Sequence, residues 1–195
     1  MRTAELKRES KETSVEVKIN LDGTGVRDID TGVPFFDHML EQLARHSLTD
    51  LTIKTKGDYH IDDHHAVEDT GIVLGQAIKK ALGDRKGIRR YASMRLPMDE
   101  TLISCDLDLG TRPYLVYDVP LDKERVGTFE TELCIEFWRA LAFGAGMCLH
   151  FHKITGVNSH HIIEASFKAF ALAFDYATSI DPRQADEIRT TKGIM

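Results

Sequence analysis

Along the first quarter of the chain Val15, Val17, Ile19 and Leu21 alternate with Glu16, Lys18 and Asn20. A period of two is the mark of a strand with one buried face. The pattern returns at Ile103, Cys105, Leu107 and Leu109, and ETSVEVKINLDG (12–23) matches ETLISCDLDLG (100–110) at an offset of 88 residues. HHAVE (64–68) matches HHIIE (160–164) at an offset of 96. The growth of the offset falls in the longer connection 111–128, compared with 24–34, because loops absorb insertions.

Helical spacing fills the intervals. A helix is predicted from about Phe35 to His46, with Phe36, Met39, Leu40 and Leu43 on one face, and its mate from about Glu130 to Ala145. Inner strands are predicted at Leu51–Lys56 and Leu149–Thr155. Second helices follow at about His64–Leu82, stopped by Gly83, and His160–Thr178, stopped before Pro182. Ile163, Phe167, Phe170, Ala171 and Phe174 share one face of the last helix, which must therefore be buried. Each half reads strand, strand, short strand, helix, strand, helix. The implied fold class is α+β: internally duplicated half-domains related by a pseudo-twofold, with helices packed between two mixed β-sheets. Residues 1–88 and 89–195 form the halves of one compact domain, since only KGIRRY, with no Gly/Ser-rich linker, joins them.

Composition narrows the function. With 25 basic and 31 acidic residues the net charge is −6, which offers no general attraction to nucleic-acid phosphates or an anionic membrane. The weakly polar stretch 140–149 is too short to span a bilayer, and the N-terminal residues lack the apolar run of a signal peptide, so a cytoplasmic location is expected. Cys105, Cys134 and Cys148 lack metal-ligand spacing and read as reduced core thiols.

Nine histidines stand out in the composition, and seven fall in two groups: His60, His64 and His65, then His150, His152, His160 and His161. On a helix either histidine of HHxxE can share a face with the glutamate, a nest for a divalent transition metal. One copy would be an ordinary solvated face. Its recurrence at the matching place has no packing reason and points to metal. Extending the duplication sets His38 opposite Glu136, so the ligand candidates are His38, His64, His65, Glu68, Glu136, His160, His161 and Glu164, enough for two sites with open positions. Asp62 and Asp63 either orient the imidazoles or cap the helix beginning at His64. His60, His150 and His152 read as structural or surface residues. His46 lies two turns beyond His38 and can reach the same cleft. Glu12, mate of Glu100, reads by itself as a surface residue. The terminal Thr190, Thr191 and Lys192 either wrap an anion or fray.

The segments GVPFFDHMLEQLARHS, GDYHIDDHHAVEDTGIVLGQAI, LDLGTRPYL and NSHHIIEASFKAFALAF, in this order, closely resemble the imidazoleglycerol-phosphate dehydratases of histidine biosynthesis, over essentially the whole chain. The resemblance implies a manganese-dependent hydro-lyase that converts imidazoleglycerol phosphate to imidazoleacetol phosphate. It implies two Mn(II) per active site and a 24-subunit homo-oligomer in which neighbours complete each site. It assigns His38, His64, His65, Glu68, His160, His161 and Glu164 to the metals and sets Glu12 and His46 toward the substrate. Arg90, Arg112, Lys168, Thr190, Thr191 and Lys192 would surround the phosphate. On chemical grounds Glu12 is the expected proton shuttle, with His46 and Glu164 as lesser contributors. Two departures stand out: Ile135-Glu136-Phe137-Trp138 where many relatives carry EHFF, which puts glutamate for a histidine ligand, and RTTKG where relatives often read PSTKG. The competing class is a di-metal hydrolase using the same HHxxE sites; a non-catalytic metal-storage protein is a third.

Overall fold

The computed structural model describes residues 1–193. Two four-stranded sheets share one strand order. The first runs β1 (Thr3–Glu9), β2 (Ser14–Asn20), β4 (Asp50–Lys56), β3 (Arg27–Asp30); the second runs β5 (Tyr91–Met98), β6 (Thr101–Asp108), β10 (Cys148–Thr155), β7 (Tyr114–Asp118). In each, two antiparallel pairings are followed by one parallel pairing, β3 with β4 and β7 with β10. The period-two residues do what their spacing predicts. Val15, Val17 and Ile19 of β2 and Ile103, Cys105 and Leu107 of β6 are buried, and the intervening residues are more exposed.

Four helices fill the space between the sheets: α1 (Pro34–Ser47), α2 (His64–Leu82), α3 (Leu133–Ala145) and α4 (Ser159–Thr178). The first two lie on the first sheet, the second two on the other, and α2 packs on α3 as α1 packs on α4. This is an α+β fold of helices between two mixed sheets, as the pattern predicts. One continuous core runs through it. Its centre is Trp138, fully buried, with Phe137, Phe151, Phe167 and Phe170 at ring-centroid distances of 4.6 to 5.1 Å.

Local chemistry sets the helix ends. Pro34 occupies the first turn of α1, where its missing N–H costs nothing. Gly146, at φ 65°, closes α3 by returning its N–H to Ala142 and Phe143. The start of α3 differs from the sequence expectation, Leu133 rather than Glu130. Phe129–Glu130 (β9) instead pairs with Arg125–Val126 (β8) in a small hairpin turned at Gly127 and closed by an Arg125–Glu130 ion pair.

Helices α2 and α3 run parallel at backbone contact. A Cβ on Gly75 would lie 2.5 Å from the carbonyl oxygen of Leu141, and one on Gly144 would lie 2.8 Å from that of Ile72. The first turns of α1, α3 and α4 also meet, Phe36 edge-on to Phe137 at 5.1 Å and Phe35 edge-on to His160 at 5.2 Å. All four helix N-termini therefore point to one end of the molecule. For Gly75→Ala, overpacking against backbone costs about 1–3 kcal/mol, partly offset by a helix-propensity gain of about 1 kcal/mol. A lowered urea midpoint is the expected outcome; an unchanged or raised midpoint would show that the helices separate freely.

Candidate active site

At the common helix end the first turn of α4 is shaped by Asn158, whose side-chain oxygen accepts from the main-chain N–H of His160 (3.0 Å) and His161 (3.5 Å). One turn on, Glu164 lies on the face of His160, with Nε2 and Oε2 3.0 Å apart. From α1, His38 brings its Nε2 to 3.6 Å from the same oxygen. One ligand atom from each of His38, His160 and Glu164 lies within 4.8 Å of the others, so two helices far apart in sequence converge on one potential metal-binding cluster. Mixed imidazole and carboxylate donors suit Mn(II), Fe(II) or Zn(II).

Glu164 is buried, and its other oxygen accepts from Lys168 Nζ at 2.6 Å. Burial pushes its carboxyl up, but Lys168, His160 and His38 together hold it below the ordinary carboxylate range. His46, two turns beyond His38, is lowered by burial and by the charge of Lys168.

The first-half group is more open. His64 Nε2 lies 3.8 Å from Glu68 Oε2, and both side chains are half exposed. Glu136, on the first turn of α3, is ion-paired with Arg139 rather than with a histidine. Beside His160, Phe35 packs on Phe129 at 5.3 Å, and Phe129 in turn stacks on Phe36 at 6.4 Å.

The second histidine of each HHxxE stands edge-on to the first and is held by a carboxylate. His65 Nδ1 pairs with Asp58 at 3.0 Å, and His161 Nδ1 with Glu100 at 2.9 Å. Both imidazoles are raised by these contacts, and Glu100 is lowered to about 2, first by His161 and then by the N–H of Asn158. Such partners fix an imidazole's tautomer and leave Nε2 to face a ligand. Sequence reasoning missed both. Asp58 lies in a turn seven residues from His65, with no spacing rule to reveal the contact; Glu100 carried a signal, its repeat match to Glu12, but no indication of its partner. Of the two aspartates that precede His64, Asp62 accepts from its N–H at 2.8 Å, a capping contact, while Asp63 makes no side-chain cap.

The residues expected around a phosphate are split. Arg90, Arg112, Thr190, Thr191 and Lys192, with Arg189, line a cavity of about 890 Å³. Lys168 lies apart from them, beside Glu164. Within the cavity Arg90 is tied down, bidentate to Asp108 (2.7 and 3.2 Å) and donating to the carbonyl of Arg189 at 2.7 Å. The cavity sits at the other end of the helices, since Arg90 N–H bonds the carbonyl of Ala177 near the close of α4. Measured along α4, Glu164 and Ala177 are roughly 20 Å apart. Glu12 stands exposed in the turn between β1 and β2, beside the start of α2.

A family model described as imidazoleglycerol-phosphate dehydratase matches residues 31–174. The chain is 57% identical over 195 residues to the imidazoleglycerol-phosphate dehydratases of Ruegeria sp. (strain TM1040) and Ruegeria pomeroyi, with both chains covered in full. Its fold superposes on the crystal structure of imidazoleglycerol-phosphate dehydratase from Staphylococcus aureus with a TM-score of 0.84 and 41% identity, covering 92% of this chain and 99% of that one. The corresponding structure from Pyrococcus furiosus, in complex with (S)-C348, gives a TM-score of 0.84 at 32% identity, covering 97% and 100%. Fold, potential metal-binding cluster and likeness together define a carbon–oxygen lyase of the hydro-lyase class. The chain belongs to the imidazoleglycerol-phosphate dehydratase family, which acts on a small-molecule substrate in histidine biosynthesis.

Asn158→Ala removes the acceptor shared by two N–H groups and is expected to cost about 1 kcal/mol of stability. Chemical denaturation checks it; no loss would mean that water caps α4 equally well.

Proposed function

We propose that this chain dehydrates imidazoleglycerol phosphate at sites holding two Mn(II) ions, ligated by His38, His64, His65, Glu68, Glu136, His160, His161 and Glu164. The observation that carries the reading is the convergence of His38, His160 and Glu164 from two helices onto one point. Bound manganese would supply Lewis acidity to the imidazole ring, which no carbonyl of the substrate can replace. The chain's own residues do the rest. Dehydration takes a proton from the middle carbon of the side chain and the hydroxyl from the ring-bearing carbon, and the resulting enol becomes the ketone of imidazoleacetol phosphate. Glu12 is a carboxylate outside the ligand set and carries the proton. His46 and Lys168 line the α1/α4 side, where Lys168 also keeps Glu164 ionised. Arg112, Thr190, Thr191 and Lys192 supply charge-assisted contacts to the phosphate, with Arg90 holding the tail that carries three of them.

The separation of roughly 20 Å along α4 is more than a three-carbon phosphate can bridge. The cluster of one chain and the basic cavity of a neighbour therefore make one site, which fits the 24-subunit assembly implied by the family resemblance. Equal strand order in the two sheets supports reading residues 1–88 and 89–195 as copies of one unit. The cytoplasm is the proposed location; no helix among the described residues is long and apolar enough to cross a membrane.

Turnover by chelator-stripped protein is expected to vanish and to return with Mn(II); metal binding without formation of imidazoleacetol phosphate would sink the reading. Asp58→Asn is expected to weaken Mn(II) affinity about 10–100-fold by freeing the His65 ring, measured by titration calorimetry, whereas unchanged affinity would remove His65 from the ligand set. For the shared site, Arg112→Ala and Glu164→Gln proteins, each inactive alone, should regain activity when dissociated and reassembled together. Mixtures that stay inactive would place each site within one chain.

A further inference from the structure

Glu12 and Glu100 hold matching places in the two ET segments, yet their surroundings are opposite. Glu100 is pinned. Its carboxylate accepts from Thr101 Oγ1 (3.0 Å), His161 Nδ1 (2.9 Å) and the main-chain N–H of Asn158 (2.9 Å) and Val157 (3.3 Å). Among the described residues, no group donates to the carboxylate of Glu12, and the imidazole of the matching His65 is held by Asp58 instead.

The turns differ, with four residues between β1 and β2 and two between β5 and β6, and so does the partner of the threonine. Thr13, the mate of Thr101, is buried, and its hydroxyl donates to the buried carboxylate of Asp69 on α2, the residue after Glu68. Arg8 sets a positive charge beside the same oxygen, without a hydrogen bond from its Nη1. In α4 the counterpart of Asp69 is Ala165, so nothing draws the Thr101 hydroxyl away from Glu100. The turn that carries Glu12 is held by Ser10, whose Oγ accepts from the N–H of Glu12 (3.1 Å) and Thr13 (3.0 Å) and lies 3.3 Å from Thr13 Oγ1, while Ser10 N–H donates to the carbonyl of Thr13 at 2.8 Å.

We propose that Asp69 is a positioning residue that keeps the Glu12 carboxylate free for proton transfer by occupying the Thr13 hydroxyl. The inference rests on the reading of Glu12 as the acid/base group. A donor bonded to a carboxylate stabilises its charged form, weakens it as a base and fixes its rotamer. Asp69 thus lets one copy of a duplicated glutamate do chemistry while the other serves as a strut.

The test is steady-state kinetics on the manganese-loaded, fully assembled enzyme. Asp69→Ala copies the second half, and kcat is expected to fall about tenfold or more, with KM and metal content unchanged. Asp69→Asn, which still accepts the hydroxyl, should stay near wild type, as should Thr13→Val. Asp69→Ala combined with Thr13→Val should recover most of the lost kcat, because no hydroxyl remains to capture Glu12; since the second substitution also removes an unpaired buried hydroxyl, a double variant that regains stability in urea without regaining kcat overturns the proposal. A fully active Asp69→Ala enzyme, or a double variant no better than the single, overturns the proposal. If Asp69→Ala is insoluble, Asp69→Leu fills the space and reads the same effect. Glu12→Gln separates the two levels: full turnover there sinks the acid/base reading itself, whereas its loss beside a fully active Asp69→Ala sinks only the inference about Asp69.

Discussion

The backbone contact between α2 and α3 sets the geometry on which the site depends. Gly75 lies against the carbonyl of Leu141 and Gly144 against that of Ile72, so at these positions the helices meet backbone to backbone and keep a parallel register. Helix α1 is tied to α4 by the same sandwich, and the aromatic contacts of Phe35 and Phe36 bring the remaining first turns together. Each HHxxE opens its helix, and His38 and Glu136 occupy the opening turns of theirs. A parallel arrangement therefore delivers every candidate ligand to one end of the molecule.

That end is electrostatically demanding. Helix N-termini carry partial positive charge, and a cluster of imidazoles placed there gains nothing from the dipoles. Carboxylates supply the compensation: Glu164 between His38, His160 and Lys168, Asp58 beside His65, Glu100 beside His161. The same contacts orient the rings. Charge balance and ring orientation are thus met by one set of residues.

The other end gathers positive charge. Arg112, Arg189 and Lys192 face one cavity, while Asp108 neutralises and orients Arg90, which in turn holds the C-terminal tail by the carbonyl of Arg189. The basic cavity is thereby kept apart from the potential metal-binding cluster within the same chain. The duplication has been used asymmetrically throughout. Equal sheets support a half-exposed histidine group in the first half, a buried glutamate in the second, and two equivalent glutamates with different hydrogen bonding.

The sequence by itself determined the strands, the four helices and their α+β layering, because those follow from local periodicity. Alternation at Val15–Leu21 and Ile103–Leu109, and the helical spacing around Phe36 and Phe167, are visible in any single stretch. It also determined the ligand candidates and the family, since HHxxE occurs twice and the flanking segments are specific. Tertiary structure alone decided which candidates meet. His38 and Glu164 are distant in the chain and are joined by helix packing, Glu136 is drawn to Arg139, and Lys168 is set apart from Arg112 by the length of α4. It also decided the carboxylates behind the rings. Asp58 and Asp69 look like ordinary acidic residues in sequence, and their roles arise from contacts across a turn and between a strand connection and a helix, which no periodicity encodes.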